Sequence, residues 1–195
     1  MKAYYEKRAA EYDQWYEGTG LFASRERPGW AEDREALIAV LRGLPPARTL
    51  DVACGTGYLT QHLRGEVTGL DQSESMVEIA SARVPAGRFV VADALPLPFA
   101  DGEFERVFTG HFYGHLEEPE RFLDEARRVA RDLVVADSAV RPDHEPVEWQ
   151  ERVLNDGSRH EVYKRYFSGE GLAEELGGGE VLHAGPWFVV VRSPA

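Results

Sequence analysis

The stretch RTLDVACGTGYLTQHL, residues Arg48 to Leu63, sets two glycines one residue apart at the point where an apolar run stops. Thr49 to Ala53 reads as a short buried strand, and Tyr58 to Arg64 as a helix closed by Gly65. A Gly-x-Gly turn between strand and helix lets backbone approach a nucleotide or anion closely, because no side chain intervenes. A helix N-terminus behind such a turn favours a carboxylate or phosphate. Alone, the turn is equally a tight strand–helix connection, so its meaning depends on its surroundings.

Working outward, the periods alternate. Residues 66–70 form a second strand pattern ending at Asp71, and a helix begins near Ser73 to Ser75, where Ser75 and Glu78 have capping-box spacing. Residues 88–92 and 105–109 are two more strands, the former ending at Asp93. A helix carrying Phe122, Leu123, Ala126 and Val129 then leads to a fifth strand at 133–136. This rhythm predicts an α/β fold, a Rossmann-like three-layer sandwich on a mostly parallel sheet covered on both faces. Upstream, the first forty residues look helical, with Tyr5, Ala9, Tyr12 and Tyr16 on one stripe and a second helix ending at Gly43. Downstream, residues 147–154 and 160–167 flank Asn155-Asp156-Gly157-Ser158 as a hairpin, followed by a short helix and two strands over 180–192.

Composition narrows the function. With 195 residues the chain has room for one sizeable core. Its formal charge of −12 repels phosphate backbones, which argues against nucleic acid as a partner. No apolar run approaches the roughly 18 residues of a membrane span, and the N-terminus shows no apolar signal core, so a cytoplasmic protein without a membrane partner is expected. Cys54 is the one cysteine and the six histidines show no HxH or HExxH spacing, so no metal site is expected. A small molecule remains the natural partner.

Four features then fall at successive strand ends, where open α/β sheets bind ligands. They are the Gly55-Thr56-Gly57 turn, Asp71 placed fourteen residues later, Asp93-Ala94, and Thr109-Gly110. A carboxylate at Asp71 can accept both hydroxyl hydrogens of a ribose, and Asp93 can meet an adenine edge.

With LDVACGTG, GLDQSESMVEIA, VVADALPLPFADGEFERVF and GHLEEPERFLDEARRVA in place, the chain resembles the class I S-adenosylmethionine-dependent methyltransferases. It is most similar to the small-molecule branch that includes the ubiquinone and menaquinone C-methyltransferases. The resemblance implies a seven-stranded sheet with an antiparallel terminal hairpin, and S-adenosylmethionine as cofactor with S-adenosylhomocysteine as product. By the same resemblance Asp51 orients the glycine loop and helps hold the methionine amino group. Ala53, Gly55 and Gly57 line the methionyl and ribose portion, with Cys54 a small buried filler of that loop. Asp71 binds the ribose hydroxyls, Gln72 and Met76 flank the adenine, Asp93 meets its amino group, Ala94 offers backbone, and Thr109 backbone touches the methionine end. Residues 1–195 form one domain, comprising a helical lid at 1–45, a cofactor-binding core at 46–140, and at 141–195 a hairpin insert, a helix and the last two strands. Two departures stand out: Ala53 occupies the position of the pattern's first glycine, and the usual Lys-Pro-Gly-Gly turn before strand five is absent.

The rival readings are an NAD(P)-binding oxidoreductase and a non-catalytic S-adenosylmethionine-binding module. A dinucleotide fingerprint wants Gly or Ala three residues after Gly57, where this chain has Thr60. Asp51 also suits an ammonium better than a diphosphate.

For the acceptor, the segment TGHFYGHLEEP after strand four supplies His111, Tyr113 and His115. Methyl transfer is an in-line displacement that chiefly needs alignment and exclusion of water, with a base wherever the nucleophile is protonated. Histidine is the natural base near neutral pH. The segment lacks the Asp/Asn-Pro-Pro-Tyr/Phe motif of enzymes methylating amino groups of bases. Tyr4, Tyr12, Trp15 and Tyr16 are candidates for a hydrophobic lid, and Trp149, His160, Tyr163 and Tyr166 for a second wall. Oxygen, nitrogen, sulfur and carbon acceptors all remain open at this stage, as does the oligomeric state.

Overall fold

The computed structural model describes residues 2–142 and 145–194. Its main sheet contains strands β1 (Thr49–Val52), β2 (Val67–Asp71), β3 (Arg88–Val91), β4 (Arg106–Gly110), β5 (Asp132–Ser138), β8 (Glu180–Ala184) and β9 (Phe188–Pro194). The order across the sheet is β3-β2-β1-β4-β5-β9-β8. The first five strands are parallel, and β9 returns antiparallel to β5 and β8.

Strand alternation explains why this sheet is buried on both sides. Leu133 and Val135 of β5 join Val189 and Val191 of β9 in one core, whereas Val134, Ala136, Phe188 and Val190 face the other. Helix α5 (Glu120–Val129) covers the first face through Phe122, Ala126 and Val129, and α6 (Gly169–Glu175) adds Leu172. Helix α3 (Trp30–Gly43) covers the second through Leu37 and Leu41. The missing Lys-Pro-Gly-Gly turn is replaced by a two-residue link, Ala130-Arg131. Asp132 then clamps the strand start, accepting hydrogen bonds from Arg106 on β4 and Arg192 on β9, both at 2.8 Å.

Two local expectations are corrected. Residues 58–64 form no α-helix, only a single 3-10 turn at Thr60–His62. Leu59 and Leu63 both enter the α3-side core, the Thr60 hydroxyl is held by Asp51, and Gly65 abuts the Ala47 backbone, so the chain turns away after one turn. No α-helix N-terminus therefore stands behind the glycine loop. Helix α4 (Glu74–Arg83) is capped by Ser73, whose Oγ accepts from Met76 N–H, rather than by Ser75.

The N-terminal stripe is not one helix but α1 (Lys2–Arg8), a 3-10 turn and α2 (Gln14–Glu17), closed by left-handed Gly18. The breaks follow from its anchors, which lie on different surfaces. Glu6 accepts from Ser75 at the start of α4, and Asp13 accepts from Thr56 and Arg83. Glu11 accepts from the Asn155 amide at the tip of a separate hairpin, β6 (Val147–Val153) and β7 (Arg159–Arg165). The arm thus bridges the carboxyl ends of the sheet to this hairpin. Among the described residues no helix is long and apolar enough to cross a membrane.

Candidate functional site

Strands β1 and β4 lie side by side, yet their connections run to opposite directions in the sheet, which opens a crevice at their carboxyl ends. A cavity of about 330 Å³ occupies it. Ala53, Gly55, Asp71, Gln72 and Met76 line one part, Asp93, Ala94 and Leu95 the next, and Gly110, His111, Phe112 and His115 the far end. Tyr5 and Tyr12 of the arm close it from above.

The loop after β1 owes its shape to left-handed backbone. Gly55 and Gly57 have φ of 54° and 74°, and Ala53 itself has φ of 59°. Ala53 therefore stands in a conformation that favours glycine. A Cβ at Gly55 would point toward Tyr12, 3.7 Å from its ring. Asp71 stabilises the loop from below, accepting from Gly55 N–H and Ser73 N–H, each at 3.0 Å. Its second lone pairs stay available to a ligand in the cavity. Burial raises its pKa, and the amide hydrogen bonds work against that shift.

Asp51 is buried beneath the same loop. One oxygen accepts from Thr60 Oγ1 at 2.6 Å, and the other has no partner. Burial, with the nearby charge of Asp71 adding to it, pushes its pKa up to about 7. A carboxyl in that condition is completed by a cation. It lines a small side cavity with Ala53 and Tyr16, next to the main one.

At the far end His111 also has positive φ, 57°, a strained value for a non-glycine residue. Its Nδ1 lies 3.5 Å from Ser138 Oγ and 3.7 Å from Asp137 Oδ1, while Nε2 is buried without a partner. Burial lowers its pKa, so the ring is neutral at pH 7. Asp137 in turn receives the Lys164 ammonium at 2.6 Å and Gly114 N–H at 2.8 Å. Gly114 permits this approach, since a Cβ there would sit 2.8 Å from Arg165 O and 3.0 Å from Lys164 Nζ. His115 Nδ1 is fixed on Tyr163 O at 2.6 Å, and burial pushes its pKa down to about 3.

Several sequence candidates lie elsewhere. Tyr113 is fully buried against Phe122 and Phe167, its hydroxyl donating to Glu175, and does not reach the cavity. Thr109 is buried with its hydroxyl on Val52 O, so the following residue, Gly110, presents backbone instead. Gly57 packs on Ala80 of α4. Cys54 is a buried free thiol whose pKa burial raises, and it reaches only the side cavity. Tyr16 stacks on Tyr58 with ring centroids 4.1 Å apart. Tyr4 faces a second, outer chamber of about 660 Å³ between the arm and the hairpin.

Sequence reasoning missed Asp137, Lys164 and Tyr5. The first two carried a faint signal, as charges inside otherwise strand-like runs, but nothing local says that they meet. Among the described residues no cluster of three or more His, Cys, Asp or Glu could hold a metal ion.

A methyltransferase-domain family profile matches residues 50–133. Demethylmenaquinone methyltransferase of Thermotoga maritima is 35% identical over 103 residues, 50% of this chain and 45% of that protein. The 2-methyl-6-phytyl-1,4-hydroquinone methyltransferase of Synechocystis sp. is 34% identical over 146 residues, 68% of this chain and 46% of that protein. The chain spans about half the length of the curated relatives it matches. A solved DhpI–SAH complex superposes with a TM-score of 0.73 at 27% identity, covering 99% of this chain and 94% of that one.

Proposed function

We infer that this chain, which carries the class I S-adenosylmethionine-dependent methyltransferase fold and domain, transfers a methyl group from S-adenosylmethionine to a small-molecule acceptor, with S-adenosylhomocysteine as product. The observation that carries the reading is the meeting, in one cavity, of a left-handed loop, Asp71 and the exposed Asp93, with a partnerless Asp51 oxygen beside it.

The residues fit the cofactor. Asp51 would hold the methionine ammonium, which supplies the cation its buried carboxyl lacks. The backbone of Ala53 and Gly55 would run along the methionyl chain without side-chain interference. Asp71 would accept from the ribose hydroxyls, and Met76, Leu95 and Phe112 would pack on the adenine while Asp93 meets its amino group. When bound, the cofactor's sulfonium would supply an electrophilic methyl group.

The chain's own part is alignment and the exclusion of water. Tyr5 and Tyr12 roof the cavity. His111, whose Nδ1 faces Ser138 and Asp137, would in its Nδ1–H tautomer offer the Nε2 lone pair as a proton or hydrogen-bond acceptor for the nucleophile. We assign the arm at 1–45 as lid, 46–140 as cofactor core, and the hairpin within 141–195 as acceptor wall. A cytoplasmic location and a non-nucleic-acid acceptor fit the unpaired cysteine and the charge of −12.

Calorimetry tests the reading. S-adenosylhomocysteine should bind and NAD should not, and Asp71→Ala should weaken binding by about 1–3 kcal/mol, the value of a charge-assisted hydrogen bond. NAD binding in place of S-adenosylhomocysteine would overturn it. Labelled S-adenosylmethionine offered with metabolite extracts should yield a labelled product. Binding without any labelled product would favour a non-catalytic module.

A further inference from the structure

A small cavity of about 40 Å³, the neck, shares lining residues with both the cofactor cavity and the outer chamber. A single water needs about 10–15 Å³ of such space, so this volume takes one small functional group. Tyr5, Tyr12, His111 and His115 belong to both the neck and the cofactor cavity, whereas Arg8, Arg152 and Lys164 belong to both the neck and the outer chamber. Three cations from three elements, α1, β6 and β7, thus converge at one constriction in a chain whose net charge is −12.

Only Lys164 is compensated, by Asp137. Arg8 donates to the Tyr4 hydroxyl and lies over the Tyr4 and Tyr12 rings, with no carboxylate in ion-pair reach among the described residues. Arg152 has no such partner either, and burial followed by the charge of Arg8 lowers its pKa. Glu11, Glu26, Glu148 and Glu151 line the outer chamber, and all but Glu26 are engaged elsewhere. Glu151 pairs with Arg159, Glu11 accepts from the Asn155 amide, and Glu148 accepts from the Tyr166 hydroxyl. Two like charges in a partly dehydrated constriction are unfavourable until an anion joins them.

We propose that this neck is an oxyanion subsite, and that the methyl acceptor is an acidic small molecule whose carboxylate or phosphate-type group is held by Arg8, Arg152 and Lys164. Guanidinium forks suit both groups, because each presents two or more oxygens in a plane that paired N–H donors match. A neutral quinol would leave the cations unanswered. The word acceptor rests on the methyl-transfer reading, whereas the anion site rests on the cations alone.

The test is calorimetric titration of inorganic phosphate, and separately of acetate, at constant ionic strength in chloride. Each is run on the protein alone and on protein saturated with S-adenosylhomocysteine. One saturable anion site is expected, with phosphate preferred if the acceptor group is phosphate-type and acetate preferred if it is a carboxylate. Arg8→Gln and Arg152→Gln should each weaken binding at least tenfold, and Arg159→Gln, an exposed change on the same hairpin, should not. Arg152→Lys, which keeps the charge but loses the fork, should fall between, and serves if a glutamine variant fails to fold. No saturable binding to the unmodified protein, or binding that the neck variants leave unchanged, overturns the subsite. Loss of S-adenosylhomocysteine binding itself overturns the methyl-transfer reading instead, and the titration on protein alone still decides the anion site.

Discussion

Asp137 Oδ1 and Lys164 Nζ lie 2.6 Å apart with both side chains buried, and this pair fastens the β6–β7 hairpin to the end of β5 beside His111. Burial alone would raise the Asp137 pKa. The ammonium of Lys164 and the contact with His111 outweigh it and hold the carboxyl well below the usual range. The hairpin, the neck and the imidazole are therefore set by one charge pair that joins residues 27 positions apart.

Removing one member should be costly. Lys164→Met or Asp137→Asn is expected to destabilise the fold by about 3–5 kcal/mol, the penalty of a buried charge left unpaired. The double variant should recover much of that loss, as read by urea unfolding. Because the folded Asp137 pKa is depressed, its contribution is complete above an unfolded value of about 4 and fades only as pH falls toward the folded value.

Asp51 should behave in the opposite sense. Its folded pKa of about 7 lies above the unfolded value, so its contribution is present below about pH 4 and is lost as pH rises through 7. Asp51→Asn should accordingly be more stable than the parent at pH 8, by about 1–3 kcal/mol, and not at pH 4. If Asp51 holds the ligand's ammonium, S-adenosylhomocysteine affinity should climb between pH 6 and 8, and this step should vanish in the variant.

Ala53 should tolerate loss of its methyl group and little else. At φ of 59°, Ala53→Gly is expected to hold stability within about 1 kcal/mol and to keep ligand binding, since glycine meets no steric penalty there. Ala53→Val should cost about 1–2 kcal/mol or more in thermal unfolding and weaken binding, because a β-branched side chain resists that backbone.

His111→Asn is the informative change at the neck, because asparagine accepts a left-handed backbone while removing the ring lone pair. Turnover should fall by about 10²–10⁴, with S-adenosylhomocysteine affinity within threefold. Unchanged turnover would reduce His111 to a packing residue.

Much of the frame was legible because it is written in local periods. The strand ends expected at Ala53, Asp71 and Thr109 fall within one residue of the observed Val52, Asp71 and Gly110, because the apolar runs stop close to a glycine or an aspartate, and the terminal strands follow from a Gly-Pro turn. Residues 58–64 read as a helix because Tyr58, Leu59 and Leu63 have helical spacing, but Thr60 is claimed by Asp51 and the core claims both leucines. Tyr113 misled for a related reason. It neighbours the cavity in sequence, but one residue's rotation in a tight turn sends its ring into the core.

What the sequence by itself determined is the layered α/β sheet and the loop that ends its first strand, since alternation, glycine and aspartate act within a few residues. Only the tertiary structure decided which charges meet: Asp137 with Lys164, Arg8 with Arg152, and His111 between the two chambers. Those meetings depend on where a distant arm and hairpin land on the sheet. Ion pairing and burial act through space, and no period along the chain records them.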